Sequence, residues 1–209
     1  MSVKRIYLIR HGQTDYNLKG IVQGGSVDTD LNETGLQQSK AFFDVYKDLP
    51  FDKVYTSSLK RSIQSVEGFI KKGIVHEKYA GLNEISWGEK DGKLATIDDN
   101  SVYLEIVTQW KAGNVDAKIE GGESPREVQN RQKPVIDLIF SRNEEDLILI
   151  CMHGRAIRIL LSTLLDEPLG TMDKFEHNNL GLYILSCSGT MCTIEKFNDT
   201  EHLNNLRVN

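Results

Sequence analysis

No stretch of this sequence approaches the ~20 consecutive apolar residues that a membrane-spanning helix requires. The first apolar run, Ile6-Tyr7-Leu8-Ile9, holds only four residues, too few for the core of a secretory leader, so a cytoplasmic chain is expected. Cysteine is scarce and odd in number. Cys151, Cys187 and Cys192 lie at no metal-ligand spacing from a histidine, and the expectation is three buried or half-buried thiols. Basic residues are not in excess: 25 Lys and Arg face 30 Asp and Glu, a net charge of −5. Nucleic acid is therefore not the expected partner, because phosphate backbones select basic surfaces. There is also no internal repeat, no low-complexity tract and no Pro/Ser-rich linker, which favours one domain over residues 1–209.

What is present suits a soluble globular chain, with 39% hydrophobic and 26% charged residues. Residues 4–9 read as a buried strand. Thr34-Gly35-Leu36-Gln37 reads as a capping box that opens a helix to about Lys47. Phe51–Thr56 reads as a strand, and Ser57-Ser58 as the start of one helix with Leu59, Ile63, Val66 and Ile70 along its apolar face. Residues 88–122 are weakly patterned, a candidate lid or insertion with a short helix near Ser101–Trp110. Ser124-Pro125-Arg126-Glu127 combines an N-cap serine, a proline at the first helical position and a capping glutamate, which predicts a helix to about Ser141. Leu147–Cys151 is apolar throughout, and Ala156, Ile157, Leu160, Leu161 and Leu164 form the core face of a helix after His153. Two segments, Gly181–Leu185 and Thr190–Phe197, suggest a hairpin around Ser188-Gly189. Alternation of strands and helices predicts an α/β fold: a three-layer α/β/α sandwich around a mostly parallel sheet, made mixed by the hairpin.

In this layout Arg10, His11, Ser57 and His153 fall just past the carboxyl ends of predicted strands, where open α/β sheets bind ligands. Arg10-His11-Gly12-Gln13 places a phosphate-suited guanidinium beside an imidazole, with a glycine that lets backbone approach a ligand. Arg61 lies in the first turns of the helix after Ser57, where backbone N–H groups favour an anion. Glu84 sits between apolar residues in Leu82-Asn83-Glu84-Ile85, an environment able to hold a proton near neutral pH. Met152-His153-Gly154 occupies a strand-to-helix turn.

Taken in order, the segments LIRHGQTDYN, SSLKRSIQS, LNEISWGEKDG, GES with Arg131 downstream, MHGRAIR and NDTEHL resemble the motifs of the histidine phosphatase superfamily, the phosphoglycerate mutase-like fold. The resemblance runs from residue 6 to residue 203 and implies a metal-independent phosphomonoester hydrolase with no cofactor. Its implied roles are His11 as covalent phosphoryl acceptor and Arg10, Arg61 and a cationic His153 as ligands of the equatorial oxygens. Asn17 adds a neutral hydrogen bond, Glu84 acts as acid and then base, and Gln23, Gly24 and Gly154 border the substrate. The interval from Glu84 to His153 lacks the longer basic, tyrosine-containing segment of the cofactor-dependent glycolytic mutases, which favours the small phosphatase branch. A phosphoglycerate mutase remains the alternative, and a non-catalytic phospholigand-binding module is a third. Ile21-Val22 stands where many small phosphatases carry an arginine before Gln23-Gly24, which argues against a bisphosphate substrate. The expected partner is a small phosphomonoester rather than nucleic acid or membrane, and a homodimer is left open. His76 and His177 match no motif, and His202 reads as structural.

Overall fold

The computed structural model describes residues 3–94, 97–189 and 191–206. Six strands form one sheet: β1 (Val3–Arg10), β2 (Lys53–Thr56), β3 (His76–Lys78), β4 (Leu147–Met152), β5 (Leu182–Ser188) and β6 (Met191–Asp199). Their spatial order is β3-β2-β4-β1-β5-β6. Strands β3, β2, β4 and β1 run parallel, whereas β5 is antiparallel to both β1 and β6. The sheet is mixed and mostly parallel, and helices cover both faces.

On one face Tyr7, Ile9, Val54, Leu149 and Cys151 pack with Phe42 of α2 (Glu33–Tyr46), Val66, and Phe69 of α4 (Glu67–Lys71). On the other, Ile6, Leu8, Ile148 and Ile150 meet Val135, Ile136 and Ile139 of α6 (Pro125–Ser141). Ala156, Ile157, Leu160 and Leu161 of α7 (Gly154–Leu164) join them there. Coverage of both faces explains why β1 and β4 read as continuous apolar runs, each fully buried leucine or isoleucine contributing ~1.5–3 kcal/mol. A third cluster joins Val107 and Trp110 of α5 (Ile97–Lys111) to Ile85, Val128, Ile159 and Met172, so α5 rests on an apolar base of its own. No helix among the described residues is long and apolar enough to cross a membrane.

Several expectations need correction. Helix α2 is capped by Asn32, whose side chain accepts from Gly35 N at 2.9 Å, and Thr34 lies inside it. The single helix expected after Ser57 is two: α3 (Lys60–Ser65) ends at Val66, where α4 begins. Hydroxyl groups account for the break, since Ser62 Oγ bonds Leu59 O at 2.8 Å and Ser65 Oγ bonds Arg61 O at 2.6 Å, competing with the helical ladder. The short α1 (Asp15–Lys19) and strand β3 went unpredicted, and α5 is longer than the sequence pattern indicates. The hairpin forms as expected, although Thr190 lies outside the described residues. Its register sets Cys187 directly opposite Cys192, with Cα atoms 4.0 Å apart, and the two are disulfide-bonded rather than free thiols. Cys151 is the free, buried cysteine.

Register also positions the site. Arg10 pairs with Met152 and Thr56 with Cys151, so the carboxyl ends of β1, β2 and β4 share one edge. Because β5 runs the other way, its amino end (Leu182 opposite Ile9) reaches that same edge.

Candidate active site

His11 directly follows β1, and its backbone N–H donates to Met152 O at 3.0 Å. The ring is buried, and its Nδ1–H donates to Gly12 O at 2.7 Å, which assigns the tautomer and leaves a lone pair on Nε2. Burial first, then the charges of Arg61 and Arg10, hold the His11 pKa well below the ordinary histidine value. His11 is therefore neutral. Gly12 is required by packing: a Cβ there would stand 2.7 Å from Gly35 O in α2. Its N–H donates to Ser65 Oγ at 2.9 Å, which ties the turn to α3.

Arg10 and Arg61 supply the positive charge. The buried Arg61 guanidinium donates to Val27 O at 2.5 Å, Gly24 O at 3.4 Å and His153 Nδ1 at 3.2 Å. Burial lowers its pKa to about 10, against the pull of Glu84, and it stays charged. Arg10 reaches His177 through one nitrogen, Nη1, which lies 3.4 Å from both Nδ1 and the carbonyl oxygen of that residue. Its Nε is buried with no partner.

His153 is not the cation expected of it. Burial, then Arg61, His11 and Arg10, hold its pKa well below the usual value. The ring accepts from Arg61 at Nδ1, so Nε2 carries the hydrogen and meets Ser57 Oγ at 2.7 Å. Ser57 Oγ lies 2.7 Å from Ser62 Oγ, whose hydroxyl can donate to Leu59 O. This chain fixes a neutral tautomer beside His11, with the two ring centroids 5.1 Å apart.

Glu84 comes from the segment after β3, and its surroundings differ from those its neighbours suggest. Leu82 and Ile85 enter separate core clusters, while the carboxylate meets backbone N–H groups. Oε1 accepts from Ile85 N and Ala156 N at 2.9 Å each, and Oε2 accepts from Arg155 N at 3.1 Å. A carboxylate offers about four lone-pair positions, so one remains, on Oε2. The Glu84 backbone is fixed in turn by Arg131, which donates to the carbonyls of Gly81, Asn83 and Glu84 at 2.9–3.0 Å and forms a two-pronged pair with Glu123.

The remaining candidates divide. Asn17 lies in the first turn of α1, in a capping box with the N-cap Thr14, and against the strand-end loops: its Nδ2 donates to Gln23 Oε1 at 3.2 Å and its Oδ1 accepts from Asn179 at 3.3 Å. Gln23 is committed within its own loop, to Thr14, Asn17 and Thr29. A Cβ on Gly24 would strike Asp91 and Ile85 O, so this glycine admits the 85–91 segment; on Gly154 it would stand 2.7 Å from the His177 ring.

Sequence reasoning missed three neighbours of His11 and Arg10. Asn179 Nδ2 donates to His11 O at 2.9 Å. It is held by the turn whose Asn178 N–H donates to Asn198 Oδ1 at 2.9 Å. His177 faces Arg10, and Ser65 holds Gly12. The direction of β5 was the available signal for two of them: an antiparallel neighbour of β1 must begin at the edge where β1 ends, which brings residues 177–179 beside His11.

Residues 6–200 match the family model of the histidine phosphatase superfamily (branch 1). A probable phosphatase of Schizosaccharomyces pombe is 30% identical over 81% of this chain and 78% of its own length. A 2,3-bisphosphoglycerate-dependent phosphoglycerate mutase of Xanthobacter autotrophicus is 31% identical over 78% of this chain and 82% of its own. Among solved structures, a mycobacterial glucosyl-3-phosphoglycerate phosphatase superposes with a TM-score of 0.83 at 25% identity, covering 95% of this chain and all of that one. The chain belongs to the histidine phosphatase superfamily, and phosphatases of that superfamily are among its relatives and structural neighbours.

Proposed function

We infer that this protein hydrolyses a small phosphomonoester through a phosphohistidine at His11. The observation that carries the reading is the His11 tautomer: Nδ1–H is spent on Gly12 O, so Nε2 presents a lone pair beside two guanidinium groups. Arg10 and Arg61 neutralise the equatorial oxygens, whose charge the loose transition state spreads. Neutral His153 orients Arg61 and borders the phosphoryl position.

In the first step Nε2 bonds to phosphorus as the P–O ester bond breaks, and the proton on Glu84 Oε2 passes to the leaving oxygen. Water then gives its proton to Glu84 and its oxygen to phosphorus. The N–P bond breaks, inorganic phosphate leaves and neutral His11 returns. Glu84 changes from acid to base between the steps, which its one uncommitted lone pair permits. No step needs a metal, since the arginines supply the positive charge.

The likeness to a phosphoglycerate mutase makes transfer back to a sugar acid the reading to test against. Purified protein is incubated in excess chelator with a generic phosphomonoester, and with 3-phosphoglycerate with and without its 2,3-bisphosphate. Release of inorganic phosphate is expected. Rapid formation of 2-phosphoglycerate without net phosphate release would identify a mutase instead.

A further inference from the structure

We propose that Asn179 is a positioning residue for the nucleophile: its side-chain amide holds the peptide that aims the His11 ring, and in the same geometry it fixes the amide of Asn17. The proposal deepens the phosphohistidine reading above and rests on it.

The ring of His11 is aimed by its neighbour, through the bond from Nδ1–H to Gly12 O. Glycine restricts its own backbone less than any other residue, so Gly12 cannot hold that carbonyl in place by itself. The two peptides around it are held from outside. The Gly12–Gln13 peptide is held at its N–H, which donates to Gln38 Oε1 at 2.9 Å. The His11–Gly12 peptide is held at both ends: Gly12 N–H donates to Ser65 Oγ at 2.9 Å, and His11 O accepts from Asn179 Nδ2 at 2.9 Å. With one end released the plane can pivot about the other, and the Nε2 lone pair moves with it.

The amide of Asn179 has one orientation. A backbone carbonyl can only accept, so the atom facing His11 O is the amide nitrogen. That nitrogen also lies 3.3 Å from Asn17, which must then present Oδ1 to it. Thr14 N–H donates to the same Oδ1 at 3.3 Å, and Asn17 Nδ2 donates to Gln23 Oε1 at 3.2 Å. Asn179 therefore sets which way the Asn17 amide faces as well as where His11 O lies.

The backbone around Asn179 is strained in this placement. Leu180 N–H donates to Arg10 O at 3.0 Å, so residues 179 and 180 hold the successive carbonyls of His11 and Arg10. Leu180 does so in left-handed backbone, φ 54°, which leucine rarely adopts and which persists only where the surroundings impose it. Its side chain is anchored in the core with Ile9 and Phe42. From β6, Asn198 Oδ1 accepts from Asn178 N–H at 2.9 Å and stands where a Cβ on Gly181 would fall. A strained turn, braced from two sides and delivering an amide to the nucleophile's own carbonyl, marks a positioning role rather than ordinary loop packing.

The test measures hydrolysis of p-nitrophenyl phosphate in excess chelator, with inorganic phosphate as competitive inhibitor. Asn179→Ala removes the amide. Asn179→Asp keeps its shape but sets a carboxylate against two acceptors, His11 O and Asn17 Oδ1. Each should lower kcat ~10–100-fold, the effect of displacing a reacting group by up to about 1 Å. The inhibition constant of phosphate for Asn179→Ala should change by no more than ~3-fold, because Arg10 and Arg61 remain. Wild-type kcat in either variant overturns the proposal, as does an equal weakening of kcat and phosphate binding in Asn179→Ala, which would mark a structural role. A second readout needs no turnover. Nitrogen-15 NMR of the His11 ring, assigned by its loss in His11→Ala, should show the Nδ1–H tautomer in wild-type protein and altered shifts in Asn179→Ala; unchanged shifts overturn the proposal whatever the activity. If wild-type protein leaves p-nitrophenyl phosphate untouched while the shifts move as expected, the phosphatase reading fails and the placement of His11 by Asn179 stands.

Discussion

Replacing Glu84 by glutamine separates the two jobs assigned to one carboxylate. Three backbone N–H groups point at it: two at Oε1, from Ile85 and Ala156, and one at Oε2, from Arg155. A glutamine carbonyl can keep the two at Oε1, but its amide then faces the Arg155 N–H, donor against donor. One buried N–H is left unpaired, which should cost ~1–3 kcal/mol of stability. The proton is lost as well, and for an alkyl phosphomonoester kcat should fall ~10²–10⁴-fold. For p-nitrophenyl phosphate the leaving oxygen needs no proton, so the first step should be largely spared while hydrolysis of the phosphoenzyme still lacks its base. Stopped-flow measurement of nitrophenolate should then show a burst of about one equivalent per site, followed by a slow steady rate. Urea denaturation reports the stability change separately. Equal losses on alkyl and aryl esters with no burst would refute the placement of the acid and base on Glu84.

Two further outcomes follow from the geometry. Arg131→Lys cannot reproduce both the paired contact to Glu123 and the donors to three carbonyls, so stability should fall by ~1–3 kcal/mol and kcat with it; a urea midpoint and a kcat both equal to wild type would show that Arg131 does not support Glu84. His11, His153 and His177 are all held neutral in the folded state, with pKa values lowered chiefly by burial. Unfolded histidines take up protons near pH 6.5, so stability is full above that pH. As pH falls toward 5 it should be lost, each ring approaching ~1.4 kcal/mol per pH unit. Urea unfolding at pH 7.5 and 5.5 checks this, and equal stabilities at the two values would contradict it.

The parts of this fold that are legible in the sequence are those governed by local rules. Apolar runs mark β1 and β4 because both faces of the sheet are covered, and the Ser124-Pro125-Arg126-Glu127 cap opens α6 as its side chains dictate. Legibility fails where tertiary contacts decide. The polar three-residue β3 is a strand only because β2 pairs with it, and Ser62 and Ser65 divide a helix whose apolar spacing is continuous. The Cys187–Cys192 bond depends on a hairpin register that sets Ser188 opposite Met191 and Cys187 opposite Cys192, a pairing that the strand pattern alone does not fix. In the site, His11, Arg61, Glu84 and His153 stand out because they sit in recognisable motifs. Asn179 and His177 do not, since their roles arise from β5 running antiparallel beside β1. His153 reads as a cation only until its burial and its bond from Arg61 are seen.

The covalent role of His11 is open to direct measurement. Protein mixed with a phosphomonoester, quenched within one turnover and analysed by peptide mass spectrometry should carry one phosphoryl group on His11, lost on mild acid treatment. The bond should be absent in His11→Ala, which should also fail to release phosphate. Hydrolysis by His11→Ala at the wild-type rate, or a phosphoryl group trapped on any other residue, would contradict the account.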